Sequence, residues 1–187
     1  MNTIPPKRTR YKGVLYRSRL EAGWAVFLDH LGEGVHYYYE PEMPGYLRNE
    51  ELIEEACHVC HAIEPFDPPD SLVDSVARYT PDFMVTKDTG PGTAWGMFIE
   101  VKPLRPSDDY EMMLRVAQCL LCGYGYGLHL CIGGMRDDRI PMMECLATHE
   151  VSNLITFFGR LFSQNADGAY QVARNFRWDL YREEEGE

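Results

Sequence analysis

Apolar and polar residues alternate in two short runs, residues 78–85 and 97–102, which are separated by turn formers. The first run reads Arg-Tyr-Thr-Pro-Asp-Phe-Met-Val and the second reads Met-Phe-Ile-Glu-Val-Lys. Residues 87–93 between them include two glycines and a proline. This pattern predicts two strands joined by a loop. Because side chains alternate along a strand, we expect Glu100 and Lys102 on one face and the valine between them on the other.

Helical spacing of apolar residues predicts two helices. The first runs from about Arg19 to Leu31, with Ser18 and Glu21 placed to form a capping box and Gly32 to end it. Its apolar stripe consists of Leu20, Trp24, Phe27, Leu28 and Leu31. The second helix runs from about residue 108 to 122 and carries apolar residues at the same spacing. Both helices are long enough to cover a sheet.

Further strands are predicted on either side of this second helix. Residues 35–40 are rich in tyrosine and form the expected first core strand, while 127–132 are apolar enough to be buried on both faces. A strand, a long helix and another strand suit a right-handed crossover. Residues 133–150 are predicted to be a loop. Two later apolar segments, 154–158 and 170–178, are compatible with either a hairpin or helices.

Asp82, Glu100 and Lys102 carry the candidate chemistry. Two carboxylates about 4 Å apart repel by ~4 kcal/mol at an effective dielectric constant of ~20, and one lysine offsets only part of this. A divalent cation removes the repulsion, and hard oxygen ligands select Mg²⁺ or Mn²⁺. Such an ion polarises a phosphate and activates water, while Lys102 is suited to stabilise the developing charge. The alternative is a surface hairpin with an ordinary salt bridge.

Four sequence segments, taken in order, resemble the PD-(D/E)xK nuclease superfamily. They are R-S-R-L-E-A at 17–22, Y-E-P-E at 39–42, Y-T-P-D-F at 79–83 and E-V-K at 100–102. The resemblance covers roughly residues 11–132. The branch is similar to the endonuclease subunit of heteromeric transposases and to uncharacterised phage nucleases.

This resemblance implies a restriction-endonuclease-like α/β core, with a central mixed sheet flanked by helices, and a Mg²⁺-dependent (or Mn²⁺-dependent) deoxyribonuclease. It implies Glu21, Asp82, Glu100 and Lys102 as catalytic residues. The metal ligands would be the three carboxylates and the backbone carbonyl of Val101. Glu21 has a competing interpretation, because a glutamate that caps the helix in the capping box cannot at the same moment turn into the metal site.

Charge is distributed unevenly along the chain, whose formal net charge is −11. A basic N-terminal arm, residues 1–18, is predicted to contact DNA phosphates, because screening over ~8 Å isolates it from distant acids. The candidate contact residues are Lys7, Arg8, Arg10, Lys12, Arg17 and Arg19. A solubilising tail is the alternative. The acidic remainder, including a tail at 182–187 that is expected to be disordered, suggests that a partner protein supplies targeting.

Residues 46–77 are predicted to be an insertion, because the family joins its second and third motifs by a much shorter link. The insertion contains an acidic segment with helical character and the string Cys-His-Val-Cys-His. This string matches the attachment pattern of c-type haem, which requires an exported chain. Zn²⁺ held by Cys57, Cys60 and His61 lacks an identifiable fourth ligand. Ordinary reduced thiols are the remaining interpretation.

The length of 187 residues suits a single domain, 1–187. No apolar run long enough to span a membrane and no apolar signal region appears, so we predict a cytoplasmic protein. Three functions follow from these observations. The first is an endonuclease acting on DNA in transposition, phage biology or defence. The second is a nuclease-fold binding or regulatory module without catalysis. The third is a zinc-stabilised interaction protein built on the insertion.

Overall fold

The described part of the chain contains eight strands and three helices. The computed structural model describes residues 7–41, 79–90, 93–103, 127–135, 139–146, 148–162 and 165–178, together with Tyr110, Met113, Leu114 and Ala117. The strands are β1 (Thr9–Tyr11), β2 (Val14–Tyr16), β3 (Val35–Tyr39), β4 (Phe83–Gly90), β5 (Thr93–Lys102), β6 (Gly127–Ile132), β7 (Met142–Cys145) and β8 (Val151–Asn153). The helices are α1 (Arg19–Asp29), α2 (Leu154–Phe162) and α3 (Ala166–Asn175).

Strands β3 to β8 form one mixed sheet in the order β3-β4-β5-β6-β7-β8. Every neighbouring pair is antiparallel except β5 and β6, which are parallel. A parallel pair requires a crossover connection. Tyr110, Met113, Leu114 and Ala117, the described residues of the connecting segment, have helical backbone. The predicted α/β class with a mixed sheet is confirmed, and the helical residues agree with the crossover.

Helix α1 begins where the capping box predicts. Ser18 is the N-cap, and its Oγ accepts a hydrogen bond of 3.1 Å from the backbone N–H of Glu21. Every residue from Glu21 to Leu28 is buried, so the helix is enclosed on more sides than its predicted stripe indicates. Trp24 and Phe27 lie in the core with the inner face of the sheet. The N-terminus of α1 is thereby fixed against the sheet.

The described part of the basic N-terminal arm, residues 7–18, contains a hairpin. Strands β1 and β2 pair in antiparallel fashion around a two-residue loop. Lys12 and Gly13 in that loop have φ angles of 47° and 79°, as a tight hairpin turn requires. Tyr11 and Tyr16 are buried in the main core. Burial of these two rings explains why the basic segment folds back.

The C-terminal region differs from its sequence-based prediction in two places. Residues 133–150, predicted to be a loop, contain β7. The two apolar segments that were compatible with a hairpin or helices belong to α2 and α3, and Phe158 of α2 packs on Phe27 of α1. Among the described residues, no helix has the length and apolar character needed to cross a membrane.

Candidate active site

Adjacent strands bring the carboxylates of Asp82 and Glu100 together. Phe83, the first residue of β4, pairs with Ile99, so Asp82, which directly precedes the strand, comes close to Glu100. Both residues are buried, with exposed fractions of 2% and 4%. Asp82 Oδ2 accepts a hydrogen bond of 2.7 Å from the backbone N–H of Val101, which fixes the orientation of this carboxylate. The pairing of β4 with β5 thus builds the centre of the predicted site.

Each carboxylate oxygen of Glu100 has a close partner. Lys102 Nζ lies 2.6 Å from Oε1, as alternation along β5 predicts. The hydroxyl of Tyr79 donates a hydrogen bond of 2.7 Å to Oε2. Burial and the charge of Glu100 raise the pKa of Tyr79 well above its usual value, so the hydroxyl remains a donor. The Lys102 side chain keeps 32% of its surface exposed and therefore reaches from the buried acid toward solvent.

Glu21 joins the site while it also caps α1. Its Oε1 accepts a hydrogen bond of 2.8 Å from Ser18 Oγ. Its Oε2 accepts one of 2.5 Å from the hydroxyl of Tyr39 and one of 3.2 Å from the backbone N–H of Arg17. The sequence posed the cap and the site as exclusive alternatives. In the structure Glu21 completes the cap, and Arg17 links it to Asp82.

Arg17 lies among the carboxylates. Its Nη2 pairs with Asp82 Oδ1, and its Nε lies 3.0 Å from Glu40 Oε1 and 3.6 Å from Glu21 Oε2. Burial opposes the charge of the guanidinium, but Asp82 and Glu21 outweigh this effect and raise the pKa of Arg17. The sequence predicted Arg17 only as a phosphate contact. Its present position makes it a counter-ion of the candidate site.

The cluster carries more negative than positive charge. Four carboxylates, those of Glu21, Glu40, Asp82 and Glu100, surround the cations of Arg17 and Lys102, which leaves a formal charge of −2 when all six are ionised. Burial and the neighbouring Glu100 raise the pKa of Asp82 above its usual range, although the Val101 N–H and Arg17 act in the opposite direction. The surplus charge is of the size that one divalent cation would neutralise.

The donor chemistry suits a hard divalent cation. The candidate donors at the centre are carboxylate oxygens of Asp82 and Glu100 and the backbone carbonyl of Val101, and oxygen ligands are those that Mg²⁺ and Mn²⁺ prefer. Within the described ranges, no group of three or more His, Cys, Asp or Glu residues is preassembled around a metal position. A cation on Asp82 Oδ1 would have to replace Arg17 there.

The predicted phosphate-contact residues are exposed, and Arg17 among them contacts the carboxylates of the site. Six exposed cations belong to the set: Lys7, Arg8, Arg10, Lys12, Arg17 and Arg19. Lys12 Nζ pairs with Asp29 at 2.9 Å, and Arg10 Nη1 donates to the carbonyl of Gly13 at 3.2 Å. Because β2 leads directly into Arg17, the hairpin and the carboxylate cluster are neighbours along the chain.

The predicted zinc ligands Cys57, Cys60 and His61, with the rest of the insertion at 46–77, lie outside the described residues. So does the acidic tail at 182–187. Two of the six cysteines are described, Cys131 and Cys145, and both are free thiols.

Two tyrosine hydroxyls contact the carboxylates of the candidate site, and sequence reasoning missed both. Tyr39 and Tyr79 bind the carboxylates of Glu21 and Glu100, yet the sequence analysis gave neither tyrosine a role in the site. The sequence did contain an indication of this role, because each tyrosine is the first residue of a motif, Y-E-P-E or Y-T-P-D-F.

No family model, no curated protein and no solved structure matches this chain. The interpretation of the site therefore depends on its residues and their geometry.

Proposed function

We propose that this chain is a metal-dependent endonuclease that hydrolyses phosphodiester bonds in DNA on a restriction-endonuclease-like core. The observation that carries the proposal is the convergence of Asp82, Glu100 and Lys102 at the junction of β4 and β5. A fold that buries two mutually repelling carboxylates beside a lysine incurs a free-energy cost unless a cation compensates it. In phosphodiester hydrolysis the compensating cation would be the metal ion that the reaction uses.

Mg²⁺ or Mn²⁺ would be held by Asp82, Glu100 and the carbonyl of Val101, with Glu21 approaching from α1. When bound, the ion lowers the pKa of a coordinated water and polarises the phosphate. Hydrolysis would join the oxygen of a water to phosphorus with loss of a proton and break the bond to the 3′ oxygen, which takes up a proton and leaves as a hydroxyl. Lys102, held by Glu100 at 2.6 Å and partly exposed, is placed to orient that water or to stabilise charge on the phosphate.

DNA is the proposed substrate because exposed cations precede Arg17, which contacts the site, along the chain. Lys7, Arg8, Arg10 and Lys12 are exposed on or beside the hairpin, and the chain passes from there through Arg17 to the carboxylates. Their charge acts locally, since salt screens the distant acids of this chain, whose net charge is −11. The acidic remainder makes a partner protein the proposed source of targeting.

Two substitutions test the active-site assignment. Asp82→Ala removes a metal donor and Lys102→Ala removes the cation beside the water, so each should slow cleavage of plasmid DNA by at least ~100-fold with Mg²⁺ or Mn²⁺. Asp167→Ala, an exposed acid in the first turn of α3, serves as the matched control and should leave the rate unchanged. Unchanged cutting by both site variants would remove the assignment.

A second candidate function is a nuclease-fold module that binds DNA without cutting it. The observation that favours it is that Arg17 and Lys102 already pair with the carboxylates of Asp82 and Glu100. A module of this kind would bind DNA and show no Mn²⁺ binding in a calorimetric titration. The endonuclease binds Mn²⁺ in the same titration, so one measurement separates the two functions.

A further inference from the structure

We propose that Arg17 is a resident counter-ion that a divalent cation displaces from Asp82, and that the displaced guanidinium then binds the phosphate of the substrate. The inference rests on the proposed function and deepens it, because it assigns a second role to one residue. Arg17 would neutralise the carboxylates before the metal arrives and contact the substrate afterwards.

The contacts of Asp82 identify the oxygen at which the exchange occurs. Oδ2 is fixed by the backbone N–H of Val101 at 2.7 Å, within the rigid pairing of β4 with β5. Oδ1 is the oxygen that Arg17 Nη2 holds. A metal ion bound through Asp82 Oδ1 therefore meets the guanidinium first. The two cations compete for the same lone pairs.

The exposure of Arg17 makes the exchange favourable for a metal. The Arg17 side chain is 53% exposed, while that of Asp82 is 3% exposed. Solvent screens the arginine side of this ion pair, so the guanidinium holds Asp82 less tightly than a fully buried cation would. A divalent ion brings twice the charge to buried carboxylates that repel each other. The metal replaces a weak counter-ion with a strong one.

The displaced guanidinium retains a partner on its outer side. Arg17 Nε lies 3.0 Å from Glu40 Oε1, and the Glu40 side chain is 42% exposed. The backbone of Arg17 stays fixed, because its N–H donates to the hydroxyl of Tyr39 at 3.0 Å and to Glu21 Oε2. The side chain can therefore leave Asp82 without unfolding the start of α1. Only its outer atoms need to move.

The chemistry of the guanidinium fits a phosphate beside the metal. Its planar fork donates two parallel hydrogen bonds to phosphate oxygens, which an ammonium cannot do. The scissile phosphate must lie next to the cation, within a side-chain length of Asp82. When the metal is bound, Arg17 is therefore available to the substrate. In the metal-free site it is paired with Asp82. The exchange couples metal binding to substrate binding.

Calorimetric titration of the full chain with Mn²⁺, without DNA, tests the competition. Arg17→Gln should bind Mn²⁺ at least about tenfold more tightly than the wild type, because the competing cation is gone. Arg17→Lys, which holds the carboxylates through a single point charge, should bind about threefold more tightly. Arg174→Gln, which removes an exposed arginine of α3, should leave the affinity unchanged. Circular dichroism confirms folding of each variant.

A second measurement tests the phosphate contact. With saturating Ca²⁺ in place of Mn²⁺ to support binding without cleavage, Arg17→Gln should bind a short DNA duplex at least about threefold more weakly than Arg174→Gln. This loss should shrink when Ca²⁺ is omitted, because the wild-type arginine is then paired with Asp82. An equal loss with and without Ca²⁺ overturns the coupling of the two roles.

The outcomes separate this inference from the proposed function. If Mn²⁺ binds the wild type and the folded Arg17 variants equally, the exchange is overturned and the endonuclease remains. If Mn²⁺ binds none of them, both are overturned. If Arg17→Gln fails to fold, the affinity of Arg17→Lys decides, and an affinity at or below that of the wild type overturns the exchange.

Discussion

Two buried glutamates lie in one row across the central sheet, and their surroundings differ. Glu100 of β5 pairs in register with Leu130 of β6, which in turn pairs with Glu144 of β7. Both glutamates are 4% exposed. Each accepts a short hydrogen bond from a tyrosine, at 2.7 Å from Tyr79 to Glu100 and at 2.5 Å from Tyr110 to Glu144. Burial and a tyrosine partner are therefore common to both.

The charged neighbours distinguish the two positions. Glu100 lies beside the permanent cation of Lys102 and close enough to Asp82 to raise the pKa of that residue. Glu144 instead lies 3.8 Å from Nδ1 of His149, a side chain that is charged only when protonated. Under the proposed function, the second acid is the reason that Glu100 binds a divalent cation. The comparison therefore selects a pair of acids with a lysine, and not a buried acid alone, as the candidate site.

The largest expected effect compares the two glutamates directly. Glu100→Gln should reduce DNA cleavage on the order of 1,000-fold, because it removes a metal donor and the partner of Lys102. Glu144→Gln preserves size and burial in the same row of the sheet and should retain activity within about twofold. Plasmid cleavage with Mg²⁺, accompanied by circular dichroism, measures both. Comparable losses in two folded variants would show that the proposal mistakes a structural acid for a catalytic one.

The opposite face of the sheet shows what burial does to a single titratable group. His129 of β6 is 7% exposed, and its ring lies 4.7 Å from that of Phe157. Burial lowers the pKa of His129 from 6.5 to about 4. Below pH 6.5 the unfolded chain therefore binds a proton that the folded chain does not bind. Stability is lost as pH falls from 6.5 toward 4, and the lost free energy is roughly 3 kcal/mol.

Urea denaturation at pH 7 and pH 4.5 measures this loss against His129→Leu, which cannot take up the proton. The free energy of unfolding of the wild type should fall by roughly 2 kcal/mol more than that of the variant between the two pH values, which is most of the full loss. His36→Gln, which replaces an exposed histidine, should follow the wild type. Parallel pH profiles for the wild type and His129→Leu would mean that the imidazole is hydrated in solution.

Local patterns predicted the parts of the site that lie on regular elements. Alternation along β5 placed Lys102 beside Glu100, and the spacing of Ser18 and Glu21 placed the start of α1. The contacts of Arg17 were not predictable in the same way. The direction of a long side chain at the end of an element depends on where the carboxylates of other strands lie. From its position in the basic segment alone, Arg17 was predicted to contact phosphate.

Short elements were the other part that the sequence did not reveal. β7 has four residues and β8 has three, which is too few for a hydrophobic period to be recognised. Both exist because they pair with neighbours, β7 with β6 and β8 with β7. Glu144 lies in β7, and so the row that it shares with Glu100 could be seen only in the folded chain.

The smallest expected effect is a difference in the free energy of unfolding, rather than in activity, between variants at the two glutamates. Tyr79→Phe and Tyr110→Phe each remove one hydrogen bond to a buried carboxylate, and a hydrogen bond to a charged group contributes about 1.5–3 kcal/mol. We expect about 1 kcal/mol for Tyr79→Phe, because Lys102 still compensates Glu100, and about 2 kcal/mol for Tyr110→Phe, which donates the shorter of the two bonds. Urea denaturation at pH 7 gives both values. The reverse order would indicate that the tyrosine, more than the lysine, keeps Glu100 buried, and Lys102 would then be held for the substrate rather than for the fold.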